Sequence, residues 1–280
     1  MQRFLDRFVF DASKVLHVGV EREQFTRRNG IIAPIAHLIL AKAGTNQFGP
    51  WEQDFGFTPD ERFGYELSAC QVESRIGPCK LTDLKSKLYQ TAQALNEYVE
   101  NARTERDRHG HKYADHIFDL SDVSVAPADM PLDIYPDATG RYKRIAEKMP
   151  RHVLLAACRV IGTHIHVGMP DHETALRVYN QVIKKYDWLC ARGNGSFGER
   201  LDIYRIVAPD CDPKPYADWA DFYRVAMEKD FHEDPRKCWT LIRISKHGTI
   251  EFRMFGATDS IERIVGWAKI CHDLCKEAMT

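Results

Sequence analysis

The stretch Gly248-Thr249-Ile250-Glu251-Phe252-Arg253-Met254-Phe255 constrains this chain more than any other. It alternates with the period of a β-strand: Ile250, Phe252 and Met254 point one way, and Glu251, Arg253 and Phe255 the other. One face is fit for a core. The opposite face sets a carboxylate two residues from a guanidinium. Two further segments repeat the device. Glu21 and Glu23 stand two apart in Val18-Gly19-Val20-Glu21-Arg22-Glu23, and His164 and His166 two apart in Gly162-Thr163-His164-Ile165-His166-Val167-Gly168. If these three strands share one sheet, one of its faces becomes a surface for metal and phosphate.

The 280 residues suffice for a large core, and 44% hydrophobic with 28% charged residues suits a globular protein. Basic and acidic residues number 39 and 40, so no global field favours nucleic acid or an anionic membrane. Anion binding must be local. Neither a signal-peptide core nor a run of membrane-spanning length is present, so the expectation is a cytoplasmic protein with no membrane or nucleic-acid partner. Eight cysteines with no Cys-x-x-Cys pair read as reduced and mostly buried.

Along the chain, 15–25 reads as a strand, and 31–43 fits a strand or a short helix equally well. Residues 44–64, rich in Gly, Phe and Pro, read as a long loop of the kind that covers sites. Residues 65–76 are strand-like and carry Glu66 and Glu73; their odd separation requires a bulge or two strands joined by a turn if both face one site. The clearest helix spans 82–108, with Thr82 as N-cap. Residues 109–149 read as loop with short elements. Residues 151–169 read as a strand pair, Val153–Ala157 and Thr163–Gly168. A helix capped by Asp171 follows, then a Gly-rich loop over 192–205 and a helix over about 216–231, its ends uncertain by roughly two to four residues. A hairpin pairs 240–245 with 249–255 through Lys246-His247-Gly248, and a final helix starts near Asp259 with Glu262 in capping-box spacing. This order favours an α+β fold with an antiparallel sheet, in a single domain over 1–280. No P-loop or dinucleotide-type glycine loop occurs.

Glutamates joined by one or two histidines suit a hard divalent ion, Mg²⁺ or Mn²⁺. Such ions can bridge the phosphates of ATP. Arg205, Arg243 and Arg253 are candidates to grip phosphate or carboxylate with paired N–H donors. Taken singly, each pattern has a plainer explanation: a solvated strand face for Glu21 and Glu23, a structural pair or zinc site for His164 and His166, cross-hairpin ion pairs for Arg243 and Arg253. Their joint occurrence in one order is far less ordinary.

In that order the chain resembles the glutamate–cysteine ligase family, in its bacterial carboxylate–amine ligase branch. The similarity runs through Gly19-Val20-Glu21-Arg22-Glu23, Glu66-Leu67 with Gln71-Val72-Glu73, Gly162–Gly168, and Ile242-Arg243 followed by Gly248–Arg253. It implies a glutamine synthetase-like fold, a curved antiparallel sheet with helices on its outer face. It implies an ATP-dependent ligase that phosphorylates a carboxylate, usually the γ-carboxylate of glutamate, and lets an amine displace the phosphate. By resemblance, Glu21, Glu23, Glu66, Glu73, His164 and Glu251 would hold metal, and His166 would lie near phosphate or metal. Arg243 and Arg253 would hold the transferring group or the substrate carboxylate. Arg205 is matched to a further arginine of the family's pattern. The chain is short after the second helix, where Asn194–Arg200 and Tyr204-Arg205 are all that stands for a longer family segment. An acyl phosphate needs protection from water, which the 44–64 loop would provide. A phosphotransferase of the same fold and a non-catalytic nucleotide-binding scaffold are the rival functions, and a homo-oligomer is left open.

Overall fold

The computed structural model describes residues 1–44, 60–103, 116–193 and 195–280. The proposed covering loop and the far end of the long helix fall mostly in 45–59 and 104–115, outside the described residues. Eight described strands form one sheet: β1 (Val18–Arg28), β2 (Ile31–Ile32), β3 (Phe63–Tyr65), β4 (Gln71–Cys79), β5 (Phe118–Ser121), β6 (Gly162–Gly168), β7 (Ile242–Ile244) and β8 (Thr249–Gly256). Their order is β3-β4-β1-β6-β8-β7, with β2 and β5 also paired to β1, and the pairings are antiparallel. The ten described helices are α1 (Gln2–Leu5), α2 (Ala36–Lys42), α3 (Leu81–Ala102), α4 (Arg141–Lys148), α5 (Arg151–Arg159), α6 (His172–Val182), α7 (Tyr186–Gly193), α8 (Glu199–Val207), α9 (Trp219–Glu228) and α10 (Ile261–Met279). The result is the expected α+β architecture. None of the described helices is long and apolar enough to cross a membrane.

One sheet face carries the main core. Val18 and Val20 of β1, Ile165 and Val167 of β6, and Ile250, Phe252 and Met254 of β8 meet α3, α6, α9 and α10 in one buried cluster. On α10, Ile264, Trp267, Ala268, Cys271 and Cys275 recur at three- and four-residue steps, so one stripe faces the sheet. Burying such side chains stabilises the fold by ~1.5–3 kcal/mol each. All eight cysteines are free and seven are buried, as expected.

Bulges retune the alternation. Between Thr163↔Phe255 and Ile165↔Phe252, β8 takes three steps to the two of β6. The extra residue turns Phe255 to the core side, where its ring stacks on Trp267 at 5.0 Å. Phe255 therefore does not share a face with Glu251 and Arg253. A second bulge, between Val18↔Cys79 and Val20↔Ile76, falls at Gly77-Pro78 of β4.

The hairpin, the Asp171 cap and the turn separating Glu66 from Glu73 form as the sequence predicts. Asp171 accepts from Thr174 N–H at 2.7 Å. Residues 31–43 contain both options, β2 and then α2. Four expectations are corrected. Residues 151–159 are α5, not a strand: a short apolar run fits either state, and its Leu and Ala favour a helix after Pro150. Within 192–205 the turn ends at Gly198, at φ 99°, and α8 begins with Glu199 and Asp202 in its first turn. Lys80, not Thr82, occupies the N-cap of α3. Ser260, one residue after Asp259, caps α10 and accepts from Arg263 N–H at 3.2 Å.

Candidate active site

The sheet face opposite the main core gathers the paired side chains. Register does this directly. Across β4, β1 and β6, Arg75 stands opposite Glu21 and Glu21 opposite His164; Glu73 stands opposite Glu23. Across β6, β8 and β7, His166 stands opposite Glu251 and Glu251 opposite Arg243. Directly opposed side chains have Cβ atoms ~5 Å apart. The three sequence patterns therefore become one connected surface. It forms the floor of a cavity of about 580 Å³, walled by Arg141 and Tyr142 of α4, Arg200 and Tyr204 of α8, and Arg236 and Trp239.

One end of the cavity is acidic. Glu21 Oε2 lies 3.1 Å from His164 Nδ1, and Glu21 Oε1 lies 3.5 Å from His166 Nε2. Glu23 Oε2 accepts from Gly162 N–H at 2.7 Å, which ties the start of β6 to β1. Glu73 is ion-paired with Arg75. Burial pushes the Glu73 carboxyl up, the charge of Glu21 adds to it, and the group reaches about 8. Burial and then the charges of Glu73 and Glu23 drive Glu66 well above the ordinary carboxylate range. Glu21 goes the other way. Burial opposes its ionisation, but the charge of His166 and the hydrogen bond with His164 outweigh that and hold it low. Burial and then Arg253 push His164 down; burial also opposes the charged form of His166, yet Glu251 and Glu21 raise it.

The other end is basic. Arg243 donates to both oxygens of Glu251, Nε to Oε2 at 2.7 Å and Nη2 to Oε1 at 3.0 Å. Arg253 Nη1 donates to Oε1 at 2.5 Å, and its guanidinium lies over Trp239 at 5.7 Å. Against the cost of burial, the charge of Arg243 followed by those of His166 and Arg253 keeps Glu251 ionised far below its ordinary range. Such a pinned carboxylate fixes where both guanidinium groups point.

The structure thus brings together nine of the ten sequence-predicted residues: Glu21, Glu23, Glu66, Glu73, His164, His166, Arg243, Glu251 and Arg253 all line this cavity. Arg205 does not. It lies on the outer side of α8, half-exposed, paired with Asp202 at 3.3 Å and Asp212 at 3.5 Å. The arginine of this segment that enters the cavity is Arg200, one and a half turns earlier. It is 3% exposed, and its donors go to main-chain carbonyls: Nε to Ile161 at 2.6 Å, Nη1 to Arg253 and Met254 at 3.3 Å each. It therefore clamps the β8 bulge beside Arg253. Sequence reasoning missed Arg200 because the segment reads as loop. It also missed Arg75, although Glu73-Ser74-Arg75 repeats the two-residue spacing used elsewhere.

Glu21, His166 and Glu251 form a group whose potential ligand atoms all lie within 4.8 Å of one another. An ion held at ~2.1 Å places two ligands at most ~4.2 Å apart, so a small side-chain adjustment would close the group on Mg²⁺. Two observations fit a cation here. His166 Nε2 is buried without a hydrogen-bond partner. Glu251, despite its three arginine hydrogen bonds, retains about one of its four acceptor sites.

The fold and site define a class: an α+β protein with acidic and guanidinium poles in one sheet-face cavity. Comparison with known proteins refines it. A protein of Saccharopolyspora erythraea with the provisional name glutamate–cysteine ligase 2-2 is 29% identical over 280 residues, 94% of this chain and 65% of that protein. The provisionally named glutamate–cysteine ligase 2 of Gloeobacter violaceus is 30% identical over 142 residues, 45% of this chain and 37% of that protein. That of Rubrobacter xylanophilus, 2-3, is 24% identical over 286 residues, 96% of this chain and 71% of that protein. The similarity to proteins of these names runs over most of the chain and supports the glutamate–cysteine ligase family. It spans less than two thirds of the length of the first two relatives. No family model matches the sequence.

Proposed function

We propose that residues 1–280 act as one catalytic unit, an ATP- and Mg²⁺- or Mn²⁺-dependent ligase that joins a small carboxylate, the γ-carboxylate of glutamate, to an amine through an acyl phosphate. The observation that carries this reading is the polarity of one cavity: carboxylates with raised pKa at one end, the buried Arg200 and Arg253 with the partly buried Arg243 at the other, and Glu21, His166 and Glu251 between. A nucleotide triphosphate with its counter-ions matches that gradient, and ~580 Å³ is within the range of small-molecule sites.

Glu21, His166 and Glu251 would hold a metal, and Glu23, Glu66, Glu73 and His164 of the same floor would hold further metal. When bound, it would neutralise phosphate charge as the γ-phosphoryl group transfers. The chain's own residues do the rest. Arg243 and Arg253, held rigid by Glu251, donate to phosphoryl oxygens or to the substrate carboxylate without reorganising. Arg200 keeps the Arg253 strand in place. The substrate carboxylate oxygen bonds to the γ-phosphorus, and the bond to the β-bridging oxygen breaks with its electrons leaving on ADP. The buried floor around His164, Glu251 and Arg253 excludes water from the acyl phosphate. Similarity to the named relatives supports the ligase assignment, and their names support glutamate as the acid.

Hydroxylamine tests this reading. With ATP, Mg²⁺ and glutamate it should trap the acyl phosphate as a hydroxamate, in an amount equal to the ADP formed. ADP formation without hydroxamate would replace the ligase by a phosphatase or phosphotransferase.

A further inference from the structure

Helix α4 is built unlike the other walls of the cavity. Tyr142, Ile145, Ala146 and, just past its end, Met149 recur at three- and four-residue steps, an apolar stripe set against a face of Arg141, Lys143, Arg144, Glu147 and Lys148. Such a stripe normally meets a core. Here none of the helix's residues is buried, and α4 packs extensively against no other described helix or strand. Tyr142, Ile145 and Met149 line the cavity instead.

One end of α4 is pinned. The buried Asp137 carboxylate accepts from Arg141 N–H at 3.1 Å and Tyr142 N–H at 2.8 Å, and the Tyr142 ring packs edge-on against Tyr65 at 5.6 Å. The other end is not. Beyond Lys148 the chain passes through Met149, extended at ψ 134°, to Pro150, where α5 starts. Proline pushes the residue before it out of the helical region, so α4 and α5 are two rods joined by an extended link.

The adjoining wall, residues 234–239, is held firmly. Asp234 accepts from Arg236 N–H at 3.1 Å, Arg243 Nη1 donates to Cys238 O at 2.7 Å, and Tyr204 Oη donates to Trp239 O at 3.0 Å. Trp239 nevertheless stays 44% exposed. The two walls are within electrostatic reach: Arg236, against the cost of burial, holds the Asp234 carboxyl below its ordinary range, and the charge of Arg141 adds to this from α4. Arg141 lines the cavity, makes no ion pair among the described residues, and rests its guanidinium over Tyr142 at 5.3 Å.

We infer that α4 is a lid: with nucleotide in the cavity it tilts about its pinned end, so that Ile145 and Met149 close on Trp239 and Arg141 meets the phosphates. The purpose of closure rests on the ligase reading above, since a closed lid keeps water from the acyl phosphate until the amine attacks. A ligand shifts an equilibrium only by binding one state better, and nucleotide phosphate offers Arg141 the ion pair that it otherwise lacks. Ile145, Met149 and Trp239 are partly exposed apolar surfaces, and bringing them together removes them from water.

Trypsin reads the lid directly, because Arg141, Lys143, Arg144 and Lys148 all lie on this one helix. Cleavage there requires local opening, so its rate follows the population of the loose state. A non-hydrolysable ATP analogue with Mg²⁺, at about ten times its Kd, should slow cleavage at these sites about tenfold. Cleavage at Lys184 and Lys185, outside the cavity wall, should keep its rate. A second arm uses Ile145→Asp, which puts a charge on a stripe residue that is not buried. With ATP, Mg²⁺, glutamate and hydroxylamine, the wild type should form ADP and hydroxamate in equal amounts. Ile145→Asp should form about twofold more ADP than hydroxamate or beyond, because water reaches the acyl phosphate, and Ile145→Leu should restore equality. A helix that merely props the wall would lower both products together. Cleavage of α4 unaffected by the analogue, or equal ADP and hydroxamate in Ile145→Asp, overturns the inference. ADP without hydroxamate in the wild type removes the ligase reading alone, and the trypsin arm then still decides whether α4 closes.

Discussion

Glu73→Gln is the most informative single substitution, because it separates the cost of the acidic pole from its use. The Glu73 carboxyl stands at about 8 in the folded chain against an ordinary value of 4.5, with burial as the first cause and Glu21 next. The sign follows from proton binding. Between those two values the unfolded chain has released the proton and the folded chain has kept it, so stability is full at acid pH and falls as pH rises towards 8. At pH 7 the gap is about 2.5 units, or roughly 3 kcal/mol, an upper figure because neighbouring carboxylates share the strain. Glutamine cannot ionise and has nearly the same shape. Arg75, half-exposed, can turn to water once its partner is neutral. Without metal, Glu73→Gln should therefore be more stable than wild type at pH 8 by ~1–3 kcal/mol and equal to it near pH 4. Urea unfolding at both pH values measures this. Added Mg²⁺ should stabilise the wild type more than the variant, which keeps Glu21, His166 and Glu251 but lacks one carboxylate. A variant less stable than wild type at pH 8 without metal would refute the reasoning, since it would make the Glu73–Arg75 pair a net stabiliser.

Further outcomes follow from the same geometry. Because Glu73 keeps its proton near neutrality, with Glu66 shifted in the same direction, Mg²⁺ binding should release protons and tighten as pH rises to about 8, which titration calorimetry in buffers of different ionisation enthalpy detects. Arg205→Ala should change stability by less than ~1 kcal/mol and leave the KM for ATP unaltered, since its pairs are exposed. Arg200→Met should cost ~3 kcal/mol or more in thermal unfolding, because three buried carbonyls lose their donor, and should lower kcat by displacing Arg253.

The site was legible in the sequence to an unusual degree because strands write their faces at period two. Glu21 with Glu23, His164 with His166, and Glu251 with Arg253 announce three half-sites before any pairing is known, and the antiparallel register then sets them side by side. Two things were not written at that period. Bulges change a face without changing the composition, which is why Phe255 reads on the face of Glu251 and Arg253 yet packs on Trp267. Helices that roof a cavity contribute single inward residues such as Arg200 and Tyr142, with no repeat to betray them. The segment around α8 adds a competing signal, since its glycines suggest loop throughout while ending at Gly198. Arg205 was matched on residue type alone, and the helix turns it outward.

The most direct test of the account is ADP release from ATP and Mg²⁺ with glutamate and a panel of primary amines that includes cysteine, run beside Glu251→Gln. The account predicts release that requires both glutamate and one amine, equimolar amide, and none with the variant, whose arginines have lost the carboxylate that aims them. Release that ignores the amine, or that survives in Glu251→Gln, would contradict it.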